Sequence, residues 1–458
     1  MEGLKKQNPL GSEPVGVLMR KFAIPSIVAM VVSALYNIVD QLFIGQAVGM
    51  MGNAATNIAF PLTTSCVALA LLFGTGGASC FNLAMGHGDW ERAVYYIGNA
   101  AVMLFSSGLL LCLFVQIFLT PLLKGFGAPA DVLPYAGAYV RITSIGFPFL
   151  ILTTGGCHLI RADGSPRMSM LCNVTGAVIN TALDAVFVLR MGWGMQGAAW
   201  ATAIGQFVSA AIVFLCLRHY KTVPLGVRHL RIRWEYAKNI VAIGMASFFN
   251  QIAMMVVQIV MNNSLSYYGA LSVYGEAVPL ACAGIVIKVN QLFFSVVIGL
   301  GQASQPIISF NYGAGQYRRV RMTYRYAAVT GMFIAILAFV IFQAFPRQIL
   351  LLFGSNTEEY FSFGVMFFRI YLFCAWLNFL QPMTSTFFTS IGKPVKGIFL
   401  SLTRQLLFLL PLIVILPIFL GLTGILFAGP IADALAAVAS FGLAAAEFRL
   451  MRRMENTG

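Results

Sequence analysis

Residues 22–45 read FAIPSIVAMVVSALYNIVDQLFIG, an apolar run whose one formal charge, Asp40, comes near its end. A helix needs about 20 mostly apolar residues to cross a bilayer, and this run is long enough. Pro25 stands in its first turn, where proline is well tolerated.

The same pattern recurs along the chain. Of the 458 residues, 59% are hydrophobic and 10% charged, and the mean hydropathy is +0.83; a soluble domain carries about 25% charged residues. Apolar segments fall near 22–45, 54–84, 94–122, 135–160, 168–189, 195–217, 239–264, 278–310, 320–345, 361–390, 396–419 and 422–446. The expected fold is therefore an all-α polytopic membrane protein with twelve transmembrane helices. The N-terminus opens with polar residues (Lys5, Lys6, Gln7) and leads directly into a full-length span, so no cleavable signal peptide is expected.

A net charge of +14 raises the question of nucleic acid. The placement of the 29 Lys and Arg answers it. The two termini and the even-numbered connections, with Arg404 counted among them, hold all but six. Lys124, Arg190 and Arg347 lie in odd-numbered connections, and Arg141, Lys288 and Arg369 lie inside spans. This asymmetry follows the positive-inside rule with both termini cytoplasmic. It leaves no polar domain on which a nucleic acid could bind. The eight cysteines lie in apolar segments without C-x-x-C spacing and read as small buried hydrophobes. No H-E-x-x-H and no nucleotide-binding G-x-x-x-x-G-K-[ST] occurs. Neither an enzyme nor an ATP-driven pump is indicated, no organic cofactor is expected, and an ion gradient is the expected energy source.

Short patterns recur at nearly one offset. Gly86-x-Gly88 returns as Gly313-x-Gly315, and Phe126-Gly127-Ala128 as Phe353-Gly354-Ser355. Arg141-Ile142 returns as Arg369-Ile370, Gly164-Ser165-Pro166 as Gly392-Lys393-Pro394, and Gly194-x-x-Gly197 as Gly421-x-x-Gly424. Six spans per half is an even number, so the halves share one orientation, a parallel repeat about an axis along the membrane normal. The expected division is a first six-helix lobe at 1–217, a cytoplasmic linker at 218–238 and a second lobe at 239–458. Each Gly-x-Gly reads as a tight turn.

Charged side chains inside a bilayer are costly and default to function. Asp40, Asp184 and Asp433 lie within spans, whereas Glu276 and Glu447 lie near span ends and are expected to be solvated. At 1.5 Å per residue, Asp40, Asp184 and Thr202 all fall roughly 8–10 Å below the outer ends of spans one, five and six. Asn37 lies three residues before Asp40, and Asn180 four before Asp184, so each pair shares a helix face. Such an oxygen-rich layer suits Na⁺, and two nearby carboxylates suit proton carriage. The second half lacks the cluster: span seven carries Asn250, Gln251, Gln258, Asn262 and Asn263 but no acid. Coupling is therefore expected in the first lobe. Asp433 has no obvious partner, and Lys288 is a lone intramembrane base. With Tyr36 and Gln251, these two complete the candidate cavity residues.

Tyr36-Asn37-Ile38-Val39-Asp40, Gly86-His87-Gly88-Asp89, Arg161-Ala162-Asp163-Gly164-Ser165-Pro166 and Asn180-Thr181-Ala182-Leu183-Asp184 resemble the multidrug and toxic compound extrusion (MATE) family, especially its DinF/MepA-like branch. The resemblance spans nearly the whole chain. It implies a V-shaped, two-lobed fold with a central cleft, and antiport of cationic, lipophilic compounds against Na⁺ or H⁺. It assigns the coupling site, and any bound Na⁺, to Asp40, Asn180, Asp184 and Thr202, and places a bending proline at Pro25. The expected setting is the plasma (inner) membrane, with a monomer acting on small organic cations. The competing reading is a flippase or exporter of a lipid-linked or anionic metabolite, which would need several Arg or Lys along the cavity.

Overall fold

The computed structural model describes residues 8–275, 277–352 and 358–457. Lys5, Lys6, Gln7, Glu276 and Phe353-Gly354-Ser355 lie outside the described residues, which contain helices and no strand. Among the described residues, eleven helices are long and apolar enough to cross a membrane, and a pair bent by 40° supplies a twelfth.

In the first half these are α1 (Val15–Ala47), α2 (Met50–His87), α3 (Trp90–Ile117), α4 (Leu133–Thr143 and Phe147–Ala162, joined by a 3₁₀ turn), α5 (Pro166–Asp184) and α6 (Gly194–Arg218). In the second they are α7 (Trp234–Ala270), α8 (Ala277–Gly313), α9 (Tyr317–Ala344), α10 (Glu358–Tyr371 and Leu380–Ser390, the bent pair), α11 (Pro394–Leu420 overall) and α12 (Leu422–Thr457). Several helices outrun their apolar segments at the basic end. A helix in water keeps its backbone bonds without apolar side chains, so hydropathy undercounts its length. Pro25 is thereby moved from a helix start to the interior of α1, where it is buried. Proline there removes one intrahelical hydrogen bond.

The repeat is visible bond by bond. Gln116 Nε2 donates to the Arg141 carbonyl at 2.7 Å, and Gln343 Nε2 to the Arg369 carbonyl at 3.1 Å. Cys157 Sγ donates to the Ser169 carbonyl, and Ser385 Oγ to the Gly397 carbonyl. The second glycine of each Gly-x-Gly is left-handed, with φ of 82° at Gly88 and 70° at Gly315, so the turns form as expected. The first glycine has a different job. A methyl group at Gly86 would sit 2.2 Å from the Phe310 carbonyl oxygen, and one at Gly313 2.3 Å from that of Leu83. These two contacts are equivalent under the repeat, so the pseudo-twofold axis passes between α2 and α8.

The first helix of each half crosses into the other. The start of α1 (Leu18, Met19, Phe22) packs in one core with Leu300, Ile307, Tyr324 and Phe387 of the second half, while Ile44 near its end joins the first-half core. Reciprocally, Ile240 and Ile243 of α7 join the first-half core, and Val257, Met261 and Leu265 join the second. The crossings are tight: a methyl at Gly244 would lie 1.8 Å from the Leu72 carbonyl oxygen, and one at Gly76 2.1 Å from that of Ile240. Gln305 of α8 adds bonds to the Thr75 carbonyl (3.2 Å) and Ser79 Oγ (2.9 Å) of α2. All these contacts lie at the basic end. Toward the opposite end the halves have separate cores, which makes a V whose cleft opens away from the basic end.

Candidate functional site

Asp40 lies on the part of α1 that packs against α5 and α6. Asp184 is the last residue of α5 before the backbone loosens into one π-helical segment, Ala185–Arg190. Such segments widen the helix and recur at functional sites. Asp184 and Asn180 are buried, at 0% and 3% exposure. The two carboxyl groups lie within hydrogen-bond reach of each other. The Asn180 amide, oriented so that both its ends are satisfied, donates to Asp184 Oδ2 at 3.2 Å and accepts from Thr202 Oγ1 (3.2 Å) and Thr202 N (3.1 Å). The four expected residues Asp40, Asn180, Asp184 and Thr202 thus form one cluster across α1, α5 and α6.

The cluster is unbalanced as it stands. Oδ1 of Asp40 and Oδ1 of Asp184 are both buried and have no hydrogen-bond partner among the described residues. Ionised carboxylates accept and cannot donate, and two of them side by side repel each other. One shared proton, or one hard cation ligated by oxygen, satisfies both orphaned oxygens. Either fits the two unbonded carboxylate oxygens. Among the described residues no group of three or more His, Cys, Asp or Glu stands ready for a metal ion.

Two tyrosines close the cluster. Tyr36 lies near both acids. The hydroxyl of Tyr139 on α4 is within hydrogen-bond reach of Thr202 and also near both acids. Tyr139 was absent from the sequence reading, although the signal existed: it lies six residues into a helix that starts at Leu133, roughly 9 Å down and level with the acids. Asn37 does not join. Its side chain is exposed and donates to the Ser33 carbonyl at 2.8 Å. Three residues of helix leave it about 60° around the axis from Asp40, enough to turn it off the cluster.

The second half differs as expected but for a reason the sequence reading missed. Asp433 of α12 has a partner: Arg404 Nε donates to its Oδ1 at 2.6 Å. Arg404 is not in a connection but inside α11, on a π-helical segment (Thr403–Leu409). Where the first half holds two unsatisfied acids, the second holds a neutralised pair. Glu447 is likewise not solvated. It is 1% exposed and accepts from Lys393 and, at 2.8 Å, from Lys396, because α12 runs well past it to Thr457. Lys288 is exposed on α8 and Gln251 is half-buried on α7, apart from either cluster.

A family model described as MatE matches residues 25–186 and 246–415, one copy in each half. An FAD transporter of Shewanella oneidensis is 24% identical over 452 residues, 96% of this chain and 97% of that protein. The multidrug export protein MepA of Staphylococcus saprophyticus is 24% identical over 423 residues, 92% of each chain. Among solved structures, the outward-facing conformation of a multidrug resistance MATE family transporter superposes with a TM-score of 0.90 at 22% identity, covering 98% of this chain and 99% of the other. That likeness concerns the fold.

Proposed function

The chain belongs to the MatE family, whose members are membrane transporters and not enzymes, and from that premise we propose that it is an antiporter exporting cationic, lipophilic small molecules in exchange for Na⁺ or H⁺. The observation that carries the proposal is the pair of buried, unbonded oxygens on Asp40 and Asp184. In this reading they take up one proton or one Na⁺, with Thr202 holding the Asn180 amide in place on Asp184 and Tyr36 and Tyr139 shielding the pair. Binding neutralises the cluster and lets α1 pack closely on α5 and α6. Release restores repulsion between the acids and pushes α1 away. Because the start of α1 lies in the core of the second half, a shift of α1 reaches the basic-end seam. An ion that binds one arrangement more tightly than the other then biases the equilibrium between them.

The proposal takes 1–217 and 239–458 as lobes joined by 218–238, both termini at the cytoplasmic face of the plasma membrane, and a monomer as the working unit. A second reading, export of an anionic metabolite, is favoured by the relative named as an FAD transporter. The separating experiment loads proteoliposomes with a cationic dye or with a flavin dinucleotide and imposes Na⁺ and pH gradients one at a time. Gradient-driven movement of the dye supports antiport of cations. Movement of the dinucleotide alone replaces that reading with the second.

A further inference from the structure

The segment joining the halves carries an exposed surface that is basic and apolar together. Between 218 and 238 stand Arg218, Lys221, Arg228, Arg231, Arg233 and Lys238 against a single acid, Glu235. The segment is held firmly to the first half. Asp163 accepts from the backbone N–H groups of Lys221 and Thr222 at 2.8 Å each. A methyl at Gly98 of α3 would lie 2.2 Å from the His229 carbonyl oxygen. Asn99 donates to the Arg231 carbonyl (3.3 Å) and accepts from Arg233 N (2.7 Å). With the backbone clasped and His229 buried, the other side chains from Val227 to Trp234 are exposed. Val227, Ile232 and Trp234 are 84%, 54% and 80% exposed, and Arg228, Arg231 and Arg233 are exposed among them, Arg228 steadied by a 3.1 Å bond from its Nε to His229 Nε2 and Arg233 by the Tyr95 ring 4.2 Å from its guanidinium carbon.

The clasp also fixes the depth of this surface. From Asn99 to the end of α3 at Ile117 is about 27 Å of helix, close to the roughly 30 Å of a hydrocarbon core. The large exposed apolar side chains that follow on α3 begin at Phe105 and continue through Leu109, Leu110 and Leu113, starting about 9 Å below Asn99. The segment therefore lies at the level of the headgroups. Tryptophan favours that level, and cations there meet anionic lipid on the side where basic residues gather.

We propose that residues 227–234 form a site for anionic phospholipid headgroups. Arg228, Arg231 and Arg233 engage the lipid phosphates, and Val227, Ile232 and Trp234 enter the acyl boundary. Charge complementarity and depth select a lipid over a soluble partner, because the apolar side chains point out at the bilayer surface.

The test uses the full chain in vesicles of phosphatidylcholine and phosphatidylglycerol, with one lipid or the other brominated near the headgroup. Tryptophan fluorescence is read in the parent protein and in Trp234→Phe, so that the difference isolates Trp234. The expected result is stronger quenching of Trp234 by brominated phosphatidylglycerol than by brominated phosphatidylcholine. The preference should fall roughly fivefold for each arginine replaced, first in Arg231→Gln and then in Arg228→Gln/Arg231→Gln/Arg233→Gln. The Arg231 side chain makes no hydrogen bond or ion pair among the described residues, so that single variant keeps the fold. Equal quenching by the two lipids, or a preference that survives in the triple variant, overturns the proposal.

Discussion

Adding one methyl group at Gly244 tests whether the basic-end seam is the closed gate of this conformation. In Gly244→Ala the new carbon falls 1.8 Å from the Leu72 carbonyl oxygen. Ordinary contact for a Cβ begins at 3.4 Å, so α2 and α7 must part by about 1.6 Å or the backbone must deform. Overpacking of rigid neighbours costs about 1–3 kcal/mol, and a backbone carbonyl that cannot rotate away puts this site at the upper end. About 3 kcal/mol is roughly a hundredfold shift against the closed seam. Gln305, whose amide bridges the seam to Thr75 and Ser79, is the place to read the opening. Replaced by cysteine in a chain whose native cysteines have been removed, it should label with a thiol reagent far faster when Gly244→Ala is added. Gly284→Ala is the matched control, because a methyl there meets nothing within 4 Å. An unchanged labelling rate together with unchanged thermal stability in Gly244→Ala would refute the gate.

Three further outcomes follow from the same geometry. Asp433→Asn leaves Arg404 buried without its counter-charge and should cost about 3–5 kcal/mol in thermal unfolding, most of it recovered when Arg404→Met is combined with Asp433→Leu; an unperturbed single variant would show that the pair is not structural. Asp163→Ala removes the acceptor for three donors of the linker, the Lys221 and Thr222 amides and the Thr222 hydroxyl, and should raise proteolysis between residues 221 and 226 while α7 stays intact. Burial outweighs those donors and holds the Asp163 carboxyl above its ordinary range, so the folded chain binds this proton more readily than the unfolded one, and linker protection should hold as the pH falls through that range. A cysteine at Gly52 and one at Arg228 should label from opposite faces of intact cells, and labelling from the same face would sink the twelve-span topology.

The spans, the repeat and the turns were legible because each follows from local chemistry. Twenty apolar residues, a charge asymmetry and paired glycines need no tertiary information. The cluster of Asp40, Asn180, Asp184 and Thr202 was legible from helix depth, because rise per residue places residues in layers even when their faces are unknown. Rotation about the helix was not legible in the same way. Asn37 has the right depth and the wrong face, and Tyr139 has both but gave no charge to draw attention. The partner of Asp433 is not legible because the charge of Arg404 assigns it to water, although it lies well inside α11. Glu447 was misread by the same habit. The crossing of α1 and α7 between the halves has no sequence signal beyond glycines such as Gly76 and Gly244, whose purpose appears only when the opposing carbonyls are in place.

The central claim is that Asp40 carries the coupling ion, and Asp40→Asn tests it most directly. The amide is nearly isosteric and resembles the protonated acid, so the helices should still pack. It cannot release a proton or lend charge to Na⁺. The measurement is efflux of a cationic dye from proteoliposomes under imposed Na⁺ and pH gradients, beside equilibrium dye binding to the same purified variant. The account predicts that binding persists while gradient-driven efflux is abolished. Efflux at the parent rate in Asp40→Asn would contradict it.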